Sequence, residues 1–124
     1  MLLKDFYTVV ELDNSDKENI KAIIDLNKDH EIYKGHFPGN PVVPGVCLTQ
    51  LIKEVMEEVE NKELFMVYAD NIKFMAVVNP EINNRLQIDL AVKYDTEQGL
   101  IKVTSTTHFN DQVFYKFKGN FKAK

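Results

Sequence analysis

A chain of 124 residues, 44% hydrophobic and 27% charged, is long enough to bury one core and too short for two, and this apolar share excludes disorder as the starting expectation. The formal net charge of −4 excludes a general nucleic-acid binder, which needs a broad basic surface to neutralise phosphates. No apolar run reaches membrane-spanning length, and Met1-Leu2-Leu3 meets Lys4 and Asp5 at once, so a cytoplasmic protein with neither membrane span nor signal-peptide core is expected.

Phe6 to Leu12 is β-prone, and Asp13-Asn14-Ser15-Asp16 reads as the turn that closes it. From Ala22 to Asn27, apolar Ala22, Ile24 and Leu26 alternate with Ile23, Asp25 and Asn27, which predicts a half-buried strand. A helix is the alternative there, because Asp16 to Leu26 also tolerates a helical pattern. Three of the four prolines and three of the five glycines fall between Gly35 and Gly45, a density that predicts a structured loop.

Beyond that loop, Leu48, Leu51, Ile52, Val55, Met56 and Val59 recur at three- and four-residue steps and predict an amphipathic helix over Val46 to Val59. Its charges begin only at Lys53, so the first two turns are expected to be buried and the last two to emerge, with Glu54, Glu57 and Glu58 as a solvated face. Leu64 to Tyr68 and Ile72 to Val78 read as two strands, the second broken by Asn79-Pro80. Leu86 to Tyr94 has the clearest period of two in the chain, and Thr96-Glu97-Gln98-Gly99 reads as the hairpin turn after it. Leu100 to Phe109 and Val113 to Phe121, joined by Asn110-Asp111, complete about six mostly antiparallel strands around one long helix. One helix cannot cover both faces of such a sheet, so the sheet must curl around it, pair with a second subunit, or do both.

The loop carries the chemistry. Gly35-His36-Phe37-Pro38-Gly39-Asn40-Pro41-Val42-Val43-Pro44-Gly45-Val46, followed by an apolar helix, resembles the HFPG-x-P-x-x-PG signature of the FabA/FabZ-type 3-hydroxyacyl-[acyl-carrier-protein] dehydratases, in residues and in spacing. The resemblance extends over residues 20–122, sharply at the loop and loosely elsewhere. It implies an α+β hot-dog fold, a single domain over residues 1–124, in which an antiparallel sheet wraps a central helix. It also implies removal of water from a 3-hydroxyacyl thioester carried on acyl carrier protein, in fatty-acid or related synthesis, with no cofactor.

Such a dehydration needs a base for the proton beside the carbonyl, donors for the enolate-like oxygen, and an acid for the departing hydroxyl. The resemblance assigns the base to His36, whose side-chain type titrates near neutrality. It assigns the oxyanion donor to Gly45, at a helix start where free N–H groups favour negative charge. Fourteen residues on from the histidine the family carries Glu or Asp; here the residue is Gln50, an amide that bonds a hydroxyl or orients a water and delivers no proton. Tyr33, Phe37, Pro44, Val46 and Phe74, with Met75, are the expected acyl-lining residues.

In the family each site is shared across a dimer, so an intact loop beside a lost acid implies either a weakened homodimer or a heterodimer with an acid-bearing paralogue, and higher oligomers are compatible. A hot-dog thioesterase and a non-catalytic partner subunit are the alternatives. Cys47 permits no internal disulfide, fits a reducing compartment, and is expected to be buried as a small hydrophobe. His30 and His108 are expected to be structural or exposed; the histidines share no metal-ligand spacing with Cys47 or the carboxylates. Lys116, Lys118, Lys122 and Lys124 crowd the last nine residues and read as a solvated face or as a basic patch for an acidic partner.

Overall fold

The computed structural model describes residues 4–37 and 39–124. Six strands, β1 (Tyr7–Asp16), β2 (Asn19–Leu26), β3 (Leu64–Phe74), β4 (Arg85–Asp95), β5 (Leu100–Phe109) and β6 (Gln112–Ala123), accompany one helix, α1 (Gly45–Glu60), and a 3₁₀ turn, Glu31–Lys34. Every strand pair is antiparallel, in the order β1-β2-β4-β5-β6-β3, which leaves β1 and β3 as edges. This is the hot-dog architecture that the loop motif implied.

Strand alternation builds the core. Ile20, Ala22, Ile24 and Leu26 of β2 and Leu86, Ile88, Leu90 and Val92 of β4 are buried, and they join Leu51, Ile52 and Met56 of α1 in one cluster. Each full burial of a side chain such as Leu51 contributes about 1.5–3 kcal/mol. The strand reading of Ala22 to Asn27 therefore holds against the helical alternative. A Thr49 Oγ1 to Tyr115 hydroxyl bond ties the helix to β6.

Three sequence expectations shift. The predicted turn at Asp13 to Asp16 lies within β1, and the chain reverses at Lys17 and Glu18. The Asp13 carboxylate accepts from Ser15 N and Oγ, and that of Asp16 from Glu18 N and Asn19 Nδ2, where the register slips. Asp13 and Ser15 thus serve an irregularity inside the ladder, and Asp16 closes the two-residue reversal. The strands predicted at Leu64 to Tyr68 and Ile72 to Val78 are one continuous β3, because register shifts between Met66 and Tyr68 and between Ala69 and Asn71 absorb the polar interruption. Met75 to Val78 leave the sheet, with Met75 N and Ala76 N both turning to Phe114 O.

The helix is the third. Burial runs on to Met56, Glu54 is only 4% exposed, and Val46 in the first turn is 78% exposed, so the face and not the turn number decides burial. The helix ends where Asn61 adopts a left-handed conformation (φ 54°) and its N–H returns to Glu57 O. At the β5–β6 hairpin, Asn110 and Asp111 both take positive φ, as a tight two-residue turn requires.

Candidate active site

Proline and glycine set the backbone of the loop that feeds α1. Gly39 sits at φ 76°, where a side chain would strain the turn, and Val42 N then reaches back to His36 O at 3.1 Å. Pro38 lies outside the described residues. Pro44, buried in extended conformation, is the N-cap, and no side chain caps the helix. Cys47 N and Leu48 N both turn to Pro44 O, at 2.9 and 3.3 Å, which leaves the Gly45 and Val46 N–H groups outside the helix's own ladder.

His36 and this helix start open on the same cleft, of about 500 Å³, walled by Val42, Val43, Leu48, Phe74 and residues 75–78. The His36 imidazole is half-buried and stacks on Phe37, with centroids 4.5 Å apart and planes at 21°. Among the described residues nothing hydrogen-bonds its ring, so both nitrogens are free for a ligand. Phe74 roofs the cleft over Gly45 and touches Tyr115, centroids 5.2 Å apart. The His36 side chain and the Gly45 backbone thus face one apolar slot wide enough for an acyl thioester.

The other expected residues lie elsewhere. Gln50 opens into a separate polar cleft of about 430 Å³ with Lys53, Glu57, Glu58 and Lys62. Tyr33 and Phe37 line a third, of about 480 Å³, with Lys28, His30 and Pro41. The ring of Tyr33 is buried against Phe6, and burial pushes its phenol well above the ordinary range. Neither Pro44 nor Val46 walls the His36 cleft, which Phe74 and Met75 do.

Glu54 corrects the expectation of a solvated face. Its carboxylate accepts from the Tyr7 hydroxyl at 2.8 Å and from Gln50 Nε2 at 2.9 Å. The four-residue step from Gln50 to Glu54 signals that pair in the sequence; Tyr7, 47 positions away, carries no such signal. Cys47 is buried, and burial holds its thiol above the usual range, so it is no ready nucleophile. His30 caps the 3₁₀ turn through Ile32 N, and His108 pairs with Asp89 at 2.6 Å, so both are structural.

The family described as ApeI-like, ApeI dehydratase, matches residues 12–116. A 3-hydroxyacyl-[acyl-carrier-protein] dehydratase FabZ of Ligilactobacillus salivarius is 33% identical over 113 residues, 86% of this chain and 77% of the relative. The FabZ of Koribacter versatilis is 32% identical over 93 residues, 68% of this chain and 60% of that protein. That of Geobacter metallireducens is matched over only 54% of its length, so the chain spans about half to three fifths of several relatives. Among solved structures, the dehydratase heterocomplex ApeI:P from Xenorhabdus doucetiae superposes with a TM-score of 0.72 at 16% identity, over 93% of this chain and 96% of that one. A phenylacetic acid degradation-related protein of Ralstonia eutropha has the same fold at 7% identity, with a TM-score of 0.64 over 97% of this chain and 87% of that one. No helix among the described residues is long and apolar enough to cross a membrane. With the loop motif, the hot-dog sheet and a family match over most of its length, the chain belongs to the ApeI-like dehydratases of the FabA/FabZ type.

Proposed function

We propose that this protein dehydrates 3-hydroxyacyl thioesters carried on acyl carrier protein to the trans-2-enoyl thioester. The observation that carries the reading is the common cleft of His36 and the α1 N-terminus. His36 takes the proton beside the thioester carbonyl, and the Gly45 and Val46 N–H groups hold the oxygen that becomes enolate-like. The C3–O bond then breaks, and the hydroxyl needs a proton to leave as water.

Position 50 cannot supply that proton, and in one chain it does not even share the cleft of His36. The site is therefore read as shared between two chains, each His36 cleft facing the position-50 side chain of the other. A homodimer offers Gln50, so the departing hydroxyl takes its proton from water or from the His36 protonated in the first step, and turnover is slow, since a general acid is worth about 10²–10⁴ in rate. A paralogue that carries a carboxyl at that position completes one site per heterodimer, and a dehydratase heterocomplex of the same fold supports this arrangement.

The test is turnover of a 3-hydroxyacyl carrier-protein substrate by the wild type, Gln50→Glu and His36→Ala. Enoyl product is expected to rise with Gln50→Glu and to vanish with His36→Ala. Thiol release without enoyl product would show a thioesterase, and no turnover by any variant, with or without paralogues, would leave a non-catalytic subunit.

A further inference from the structure

On the side of α1 that faces β1, a carboxylate is buried where the sequence places a solvated helix face. Glu54 is 4% exposed. Burying an ionised carboxyl is costly unless donors occupy its oxygens, and here both are occupied. The Tyr7 hydroxyl donates to Oε1 at 2.8 Å, and the Gln50 amide donates to Oε2 at 2.9 Å. Burial and the adjacent carboxylate hold the Tyr7 phenol far above its ordinary range, so its proton stays in the bond.

This geometry fixes the direction of the Gln50 amide. The Gln50 nitrogen donates to Glu54, so the carbonyl oxygen on the other arm of the amide points away from it. That oxygen makes no hydrogen bond among the described residues, and Gln50 lines the polar cleft of about 430 Å³.

We propose that Glu54 is the positioning residue for position 50: it ties down the Gln50 N–H and presents the amide carbonyl oxygen alone to the ligand. The proposal rests on the dehydratase reading for the identity of that ligand. An acceptor there fits an oxygen that carries a proton, the 3-hydroxyl of the substrate or the water it becomes. Gln50 so held orients the C3–O bond and transfers no proton. The polarity of the site at position 50 is thus set one helical turn away, by a residue of the same cleft whose carboxylate oxygens are taken up by Tyr7 and Gln50.

Two variants separate positioning from simple support of the fold. Glu54→Gln replaces the carboxylate with an amide that donates as well as accepts, so Gln50 is free to turn over. Tyr7→Phe removes the hydroxyl that donates to Glu54 Oε1 and leaves the Glu54 to Gln50 bond in place. Both are expected to lower the melting temperature. Only Glu54→Gln is expected to lower kcat for a 3-hydroxyacyl pantetheine thioester, on the order of tenfold at unchanged KM. The side-chain amide of Gln50, assigned in the NMR spectrum by its loss in Gln50→Ala, should exchange slowly with solvent in the wild type and in Tyr7→Phe, and rapidly in Glu54→Gln. Rapid exchange in the wild type, or a fall in kcat in Tyr7→Phe equal to that in Glu54→Gln, overturns the proposal. Wild-type protein without turnover would count against the dehydratase reading, and the amide exchange would then decide the proposal by itself.

Discussion

The ring of Phe74 lies directly on the backbone of Gly45: a Cβ at position 45 would stand 2.6 Å from Cζ and 2.7 Å from Cε1. The atoms in the way belong to the free end of a side chain that is 59% exposed, so the ring can swing off at small cost. Gly45→Ala is therefore expected to fold with a melting temperature within a few degrees of wild type. Its kcat/KM should nevertheless fall by about 10²–10³, because the new methyl crowds the oxygen held at the helix start. Gly45→Ala combined with Phe74→Ala separates two causes. Recovery of activity in the pair would show that the displaced ring, and not the crowded oxyanion, caused the loss.

How much of this was legible in the sequence depends on the range of the interactions. The His36 loop could be read because proline and glycine impose their backbone locally, and β4 because its alternation matches the burial pattern residue by residue from Leu86 to Lys93, with Tyr94 alone exposed out of turn. The single β3 was not legible. Ala69-Asp70-Asn71 looks like a break, and only pairing with β6 shows that the strand slips its register and continues. Glu54 was misread for the same reason. A glutamate after Lys53 on a helix reads as solvated until β1 brings Tyr7 to it.

Stability should fall on the alkaline side. Burial raises the Cys47 thiol, and it also raises the phenols of Tyr7, Tyr33 and Tyr115 and pushes that of Tyr94 up to about 12, with the Glu60 carboxylate helping to hold its proton. A group whose pKa is higher folded than unfolded contributes stability in full below its unfolded value and loses it as pH rises through the folded value. Ordinary thiols titrate near about 8.5 and phenols near about 10. The melting temperature is thus expected to be level from about pH 7 to pH 8 and to decline progressively above that, as first the thiol and then the phenols gain from unfolding. A thermal melt series to pH 11 checks this. A melting temperature that does not fall by the top of that range would contradict it.

Gln50→Glu places a second carboxyl one helical turn from Glu54, where the amide nitrogen now lies 2.9 Å from Oε2. Two carboxylates so close cannot both ionise easily, and the pair retains one proton at higher pH than either acid alone. The gain of dehydratase activity in Gln50→Glu should accordingly persist toward neutral pH and disappear as the shared proton is lost. Adding Glu54→Gln removes the second charge, so the acid then loses its proton at lower pH. The double variant should show a pH–rate profile whose alkaline limb is shifted to lower pH, measured with a pantetheine thioester. Identical profiles would mean that the two side chains do not share a proton.

A carrier-protein substrate should meet the outer face of β6. Lys116 and Lys118 are exposed there, alternating with buried Tyr115, Phe117 and Gly119, and the register sets Lys116 directly opposite Lys73 on β3. Like charges opposite each other destabilise a sheet, and none of Lys73, Lys116, Lys118 and Lys122 forms an ion pair among the described residues. Lys73 adjoins Phe74, the roof of the His36 cleft. An acidic carrier protein docking here would offset the repulsion. The pair Lys116→Glu and Lys118→Glu is expected to raise KM for the carrier-bound substrate on the order of tenfold and to leave a pantetheine thioester unaffected. Equal effects on both substrates would place the lysines outside any docking surface.

The edge strand β3 is the surface on which sharing of the site is expected to depend. It carries Phe65, Met66, Val67, Tyr68 and Ile72 at 39–49% exposure along an unpaired edge, the surface that soluble proteins ordinarily blunt with charge or cover with a partner. Antiparallel pairing of this strand with its counterpart in a second chain would continue the sheet and bury those side chains. The protein is therefore expected to run at twice its 14.3 kDa chain mass, alone or with an acid-bearing paralogue. Val67→Lys with Ile72→Lys sets two charges on that edge and touches no fully buried side chain, so the chain should keep its circular dichroism and become monomeric. His36 and Gln50 line different clefts of one chain, which makes turnover the sharper measurement. If each cleft is completed from across the pairing, the monomer loses activity together with its partner. A folded monomer that turns over substrate at the wild-type rate would show that one chain holds all the chemistry it uses.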